Sequence, residues 1–198
     1  MKSLKSRIKR ITAMYKKMSQ TFIIIFLSCN LYAQFHEGFV ITTENDTIDC
    51  EIFSSSYFSG DLNLSSLTNG IITQKDGNKM KYKPNEIKEF SINSLTLGRL
   101  SFISIPEDTK KFFQVIVKGR LSFFYLHVKS SDGSGYAVPV LKKNGKLVYL
   151  NVVNRNKRVE DLITDYPELL HDWKENKYSF DELDQLVLVY NRYFEMKP

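Results

Sequence analysis

Two short turn signals, each lying between two runs of residues that favour strands, constrain the fold of this chain most strongly. They are Asp76-Gly77 and Asn144-Gly145, and both dipeptides favour the positive φ angles of two-residue hairpin turns. The segment 47–52 alternates over its whole length, with Ile48, Cys50 and Ile52 on one face. A period of two residues is typical of a half-buried strand. The sequence therefore predicts antiparallel β-hairpins.

Further apolar and β-branched runs predict more strands on both sides of these turns. We expect about eight or nine strands, in a sheet large enough to be curled or arranged in two layers. The segment 112–117, followed by a turn and 121–128, is expected to form a central hairpin because both faces are apolar. A helix over 109–117 is the alternative assignment. These strands are expected among the segments 38–43, 47–52, 70–74, 79–83, 87–92, 100–105, 112–117, 121–128, 136–141 and 146–150.

The pattern changes after residue 154, where apolar residues recur at helical spacing. We expect two or three helices within 159–194, and Ser179-Phe180-Asp181-Glu182 matches a capping box that begins the last of them. The apolar stripe of that helix, which includes Leu183, Val187 and Tyr190, is expected to pack on the sheet. The sequence thus predicts one α+β domain with a β-rich part, 34–154, and a helical part, 155–198.

The first 33 residues have the composition of a secretory signal peptide. Seven cations and no acidic residue precede an apolar run at 21–27, and Ala33 follows at the distance expected for cleavage before Gln34. A second interpretation is a lipobox ending at Cys29, which would be lipidated and become the first residue. Translation can begin at Met1, Met14 or Met18 under either interpretation. The cations are Lys2, Lys5, Arg7, Lys9, Arg10, Lys16 and Lys17.

Removing this leader changes what the charge implies. The whole chain has 28 Lys and Arg against 22 Asp and Glu, a formal net charge of +6, but seven of the cations and none of the acids lie in residues 1–33. The remaining residues carry a net charge of −1, so we expect no nucleic-acid partner. The apolar run is shorter than the roughly 20 residues of a membrane span, and no other window of the chain comes close to that length. We therefore also expect no transmembrane segment after the leader is removed.

Two segments resemble exported proteins of the Bacteroidota. The first is Gly38-Phe39-Val40-Ile41-Thr42 running through Asn45-Asp46-Thr47-Ile48, and the second is the C-terminal run from Tyr178 through Val189-Tyr190-Asn191. Asn45 and Cys50 stand where glycine is usual in that pattern. The resemblance implies export and a β-rich domain. It implies no activity and no catalytic residues.

The residue types that carry chemistry do not form a recognised motif. His36, His127 and His171 lack metal-ligand spacing, so we expect neither a metal site nor a cofactor. His127 is expected to be a hydrogen-bonded sheet residue, and Cys50 a small apolar residue. A hydrolase triad of His127, Ser134 and Asp132 is the alternative, although no G-x-S-x-G segment supports it.

These observations predict an exported cell-envelope protein, periplasmic or secreted, that binds a protein or glycan and is not an enzyme. One alternative is an envelope hydrolase whose active site follows no sequence motif. The other is a structural protein anchored to the outer membrane by a lipid on Cys29.

Overall fold

Antiparallel pairing of neighbouring strands builds the sheet. The computed structural model describes residues 33–55, 62–131, 134–151 and 153–196, so the predicted leader and Cys29 lie outside the described residues, apart from Ala33. Ten strands lie within these ranges rather than the expected eight or nine. They are β1 Ala33–Thr42, β2 Thr47–Ser55, β3 Ile71–Lys75, β4 Asn78–Tyr82, β5 Ile87–Ser94, β6 Gly98–Ile105, β7 Asp108–Val117, β8 Leu121–Lys129, β9 Gly135–Lys143 and β10 Lys146–Tyr149.

All ten strands belong to one sheet in the order β10-β9-β8-β7-β6-β5-β1-β2-β3-β4. Strands β5 to β10 follow one another as a meander, and β1 to β4 form a second meander. The two meanders join where β1 pairs antiparallel with β5, with Val40 opposite Phe90. The edges of the sheet are therefore β4 and β10, the returning strands of the two hairpins whose turns the sequence predicts.

The hairpin turns have the predicted backbone geometry. Asp76 and Gly77 have φ angles of 51° and 80°, and Asn144 and Gly145 have 50° and 75°. Two consecutive positive φ angles define the type I′ turn, whose twist matches that of the flanking strands. Asn45, in the β1–β2 turn, has a φ of 73°, which asparagine tolerates better than most residues.

The segment 109–117 is a strand and not the alternative helix. Strand β7 pairs with both β6 and β8, and these ladders satisfy backbone groups that a helix would have paired internally. Phe112 and Phe113 are both buried, on opposite faces of β7. The expectation of a central hairpin with two apolar faces is therefore confirmed.

One face of the sheet, the inner face, carries the larger part of the core. Val40, Phe90, Phe102 and Phe112 pack there against the segment 62–68, which includes a 3₁₀ turn at Leu64–Leu67. Thr68 fixes this segment to two strands. Its hydroxyl donates to the His127 carbonyl at 2.7 Å, and its carbonyl accepts from the Phe112 amide at 2.7 Å.

The opposite face, the outer face, is closed over β7–β10 because the sheet curls back on itself. The Phe113 and Tyr149 rings lie 6.5 Å apart although their strands are three places apart in the sheet. The Tyr149 hydroxyl donates to an Asp108 carboxylate oxygen at 3.0 Å, and Lys142 pairs with Glu107 at 2.9 Å. The curl buries a second apolar cluster that includes Phe124 and Val140.

Three helices pack on the inner face of β7–β9, as the sequence predicts: α1 Arg155–Leu162, α2 Pro167–Lys174 and α3 Leu183–Glu195. The Ser179–Glu182 capping box is present and introduces a 3₁₀ turn, Phe180–Glu182, that leads into α3. Leu183, Val187 and Tyr190 are buried with Leu121 and Phe123 of β8. The sheet and the helices therefore share one core, and the α+β fold class is confirmed.

Candidate functional site

His127 is a hydrogen-bonded residue of the inner face, as predicted. It lies on β8, and its Nε2 is 2.6 Å from Gln114 Oε1 on β7. Burial lowers the pKa of His127 from 6.5 to about 4, so the imidazole is neutral at neutral pH. A general base works best when its pKa lies near the operating pH, and His127 does not meet that condition.

Two members of the alternative triad, His127 and Ser134, lie among the described residues. Ser134 is exposed in the β8–β9 loop, and Asp132 lies outside the described residues. The group on His127 Nε2 is the amide of Gln114 and not a carboxylate. In a serine hydrolase triad an acidic residue orients the histidine, so the geometry around His127 favours a structural role.

Cys50 is half-buried on β2, on the same face as Ile48 and Ile52. Burial, followed by the negative charge of Asp49, raises the pKa of the Cys50 thiol. Such a thiol stays protonated and is a poor nucleophile. Among the described residues no group of three or more His, Cys, Asp or Glu side chains is placed to hold a metal ion.

Asn191 has a role that the sequence analysis did not assign. Its side chain is 5% exposed and binds both backbone groups of Leu121 at the start of β8. Oδ1 accepts from the Leu121 amide at 2.9 Å, and Nδ2 donates to the Leu121 carbonyl at 2.8 Å. Asn191 thus takes the place of a neighbouring strand and fixes α3 to the β7–β8 turn, where Gly119 leaves room for its side chain.

Tyr190, the residue before Asn191, joins α3 to an ionic cluster at Asp165. The Tyr190 hydroxyl donates to Asp165 at 2.8 Å, and the Lys143 ammonium lies 2.7 Å from the same carboxylate. Burial raises the pKa of Asp165, but the hydrogen bonds from Lys143 and Tyr190 outweigh it, and the net shift is downward. The Tyr-Asn pair of the C-terminal motif therefore holds the helices on the sheet.

The outer face is open over the neighbouring strands β6, β5, β1, β2 and β3, where it forms a shallow depression of about 600 Å³. We define this open face by Glu37, Phe39, Asp49, Glu51 and Arg99. The depression is also lined by Gln74, Lys75, Asp76 and Asn93. Arg99 lies over the Phe39 ring at 4.8 Å from its centroid and donates through Nε to Ser91 Oγ at 3.0 Å. The Arg99 guanidinium and the Phe39 ring thus lie beside the carboxylates of Glu37, Asp49 and Glu51.

The three acidic side chains of the open face are not used by the fold. Glu37, Asp49 and Glu51 are exposed, and their carboxylates make no hydrogen bond or ion pair to any described residue. The alternation in 47–52 predicts that Asp49 and Glu51 share a face. Strand order, which the sequence pattern does not reveal, adds Glu37 and Arg99 to the same surface.

The predicted processing residues lie at the beginning of the sheet. Strand β1 begins at Ala33, so cleavage before Gln34 would leave the rest of that strand in place. Residues 34–198 form a compact unit of their own. None of the helices in the described ranges has the length and apolar composition needed to cross a bilayer. Searches of protein-family models, curated proteins and solved structures find no match to this chain.

Proposed function

We propose that this chain is an exported cell-envelope protein that binds a protein or glycan partner and is not an enzyme. The observation that carries this proposal is the open face, where carboxylates and a guanidinium face solvent around an aromatic ring. Carboxylates, amides and guanidinium groups hydrogen-bond to sugar hydroxyls or to peptide groups. A half-buried ring such as Phe39 adds apolar contact area.

The protonation states and ion pairs of the residues that could take part in catalysis support binding over catalysis. Burial holds His127 neutral and Cys50 protonated, and Asp165 is paired with Lys143. An active site usually combines a concave pocket with titratable groups of perturbed pKa. On the open face the carboxylates of Glu37, Asp49 and Glu51 instead face solvent and make no hydrogen bond or ion pair to any described residue, which leaves them available to a binding partner.

The proposed location depends on the sequence of the leader. Its cations and apolar run favour export to the periplasm or secretion, with cleavage before Gln34. Lipidation of Cys29 is the alternative, and it would hold the same domain at the outer membrane. The resemblance to exported Bacteroidota proteins supports both arrangements equally.

The binding proposal is tested with the chain purified from the envelope fraction of producing cells. The unchanged chain should bind one envelope glycan, or cross-link to one envelope protein. Two variants, Asp49→Asn/Glu51→Gln and Arg99→Ala, should each fail to bind that same partner. Glu44→Gln is the matched control, because Glu44 is exposed in the β1–β2 turn away from the depression. Loss in the open-face variants but not in the control is expected.

Two results would contradict the proposal. The first is equal retention by the open-face variants, the control and the unchanged chain. The second is turnover of a hydrolase substrate that a single polar substitution abolishes, which would establish an enzyme and favour the hydrolase alternative.

A further inference from the structure

The two edges of the sheet present different backbone surfaces. In each hairpin a two-residue turn fixes which residues bond to the neighbouring strand and which turn their N–H and C=O groups outward. On β10, Leu150 donates to the Pro139 carbonyl at 2.9 Å, and the register places Lys146 opposite Lys143. Leu147 and Tyr149 consequently point their backbone groups away from β9.

The same reasoning assigns the outward residues of β4. Lys75 pairs with Asn78 across the Asp76-Gly77 turn, so Lys79 and Lys81 turn their backbone groups outward. Charged residues on an edge strand, lysine in particular, discourage pairing with another chain. Edge β4 therefore carries a charge at both outward positions, whereas edge β10 has the uncharged residues Leu147 and Tyr149 there.

A groove runs beside the β10 edge, between this strand and α1. Its volume is about 580 Å³, and its walls include Leu147, Tyr149, Arg158 and Asp161. Arg158 Nη1 donates to the outward carbonyl of Tyr149 at 2.5 Å. A hydrogen-bond donor from outside the sheet already occupies one position of this edge, which shows that the edge is accessible to donors.

The charges around the groove are mainly positive. Lys143, Lys146 and Arg158 line it, opposed by Asp161. Lys143 is paired with Asp165, whereas the Lys146 ammonium has no ion-pair partner among the described residues and is exposed. Asn144 and the hairpin turn close one end without adding an acidic group.

We propose that the β10 edge binds an extended acidic segment of a partner protein, which adds to the sheet as an eleventh strand. The Leu147 N–H and C=O and the Tyr149 N–H would pair with its backbone. Arg158 would move from the Tyr149 carbonyl to a carboxylate of the segment, and Lys146 would face a second one. This inference does not depend on the open face or on export.

The charges favour an acidic segment over a second copy of this chain. Two copies paired through β10 about a twofold axis would place Lys146 and Arg158 of both copies in a shared groove. Like charges at close range oppose association. An acidic segment instead neutralises the groove, and its binding should weaken as salt is raised.

The test uses the whole chain as recovered from cells and two capped peptides, one alternating Thr and Glu and the other alternating Thr and Lys. The Thr-Glu peptide should bind, protecting the Leu147 and Tyr149 amides from hydrogen exchange, and the Thr-Lys peptide should not bind. Leu147→Pro removes the outward donor without breaking the ladder to β9. It should weaken binding by at least about tenfold.

Two control variants distinguish loss of the Leu147 N–H donor from loss of the packing of its side chain. Leu147→Ala keeps the N–H but removes the side chain, and Lys81→Pro makes the equivalent change on edge β4. Both should bind the Thr-Glu peptide within about threefold of the unchanged chain. Far-ultraviolet circular dichroism checks that each variant is folded, and exchange protection in the unchanged chain tests the proposal without any variant.

Any of four results would overturn the proposal. They are no saturable binding of the Thr-Glu peptide, equal binding of the Thr-Lys peptide, protection confined to residues outside β10, and protection of β10 without peptide in a dimer. None of them bears on the open face, so failure here leaves the proposed function to its own test.

Discussion

The contributions of Asn191 and Gly119 to the free energy of unfolding should be coupled. Replacing Asn191 with alanine leaves both the amide and the carbonyl of Leu121 without a partner, and Leu121 is fully buried. Each unsatisfied buried group costs about 1–3 kcal/mol. We therefore expect Asn191→Ala to lower the free energy of unfolding by about 3 kcal/mol.

Gly119→Ala should also lower the free energy of unfolding, by much of the same amount, through a different contact. A Cβ atom at residue 119 would lie 2.3 Å from Asn191 Nδ2 and 2.8 Å from Oδ1, so the amide must move off Leu121. The backbone of Gly119 is outside the left-handed region, so alanine meets no backbone strain there. Once Asn191 is already alanine, adding Gly119→Ala should cost less than about 1 kcal/mol.

Urea unfolding of the two single variants and the double variant measures this coupling. The sum of the two single losses should exceed the loss in the double variant by about 2 kcal/mol. Additive losses would refute the account, because they would mean that the methyl group added at residue 119 acts on something other than the Asn191 amide. A change in the urea dependence of the free energy would instead indicate altered compactness, and fluorescence and circular dichroism transitions should coincide.

Three further predictions follow from the geometry. Gly38→Ala should destabilise the protein by more than about 2 kcal/mol, measured by urea unfolding, because its Cβ would lie 2.0 Å from the backbone oxygen of Ser91; an unchanged midpoint would contradict this. His127 has a pKa of about 4 when folded, against 6.5 unfolded, so the stability that depends on its neutral form is complete above pH 6.5 and is lost as the pH falls toward 4. Over that window the free energy of unfolding of the unchanged chain should fall by about 3 kcal/mol more than that of His127→Gln. Parallel pH profiles of the two free energies would exclude the effect. Cys50 should react with a thiol reagent more slowly in the folded chain than in urea, since burial raises the pKa of the thiol; equal rates would show a freely exposed thiol.

Local patterns predicted most of the strands because each depends on neighbouring residues only. Alternation identified β2, and the Asp-Gly and Asn-Gly turns have the expected positive φ angles. The choice between strand and helix over 109–117 could not be made locally. It follows from pairing with β6 and β8 on both sides of β7, which a sequence window does not contain.

Long-range contacts explain what the sequence analysis missed. Asn191 binds Leu121, 70 positions earlier in the chain, so the Tyr-Asn motif was visible but its role was not. Gly38 is needed because Ser91 of β5 approaches its backbone closely. The open face and the β10 edge likewise depend on strand order, which brings Glu37 beside Glu51 and leaves Leu147 without a neighbouring strand.

The central proposal, an exported binding domain, is tested most directly by the N-terminus of the protein in its cells. Intact-mass analysis of the chain from separate cytosolic and envelope fractions should find it outside the cytosol, beginning at Gln34 or at a lipidated Cys29. A chain that retains its initiator methionine and stays in the cytosol would contradict the account. The seven leader cations would then belong to the working protein, and its net charge of +6 would need a different explanation.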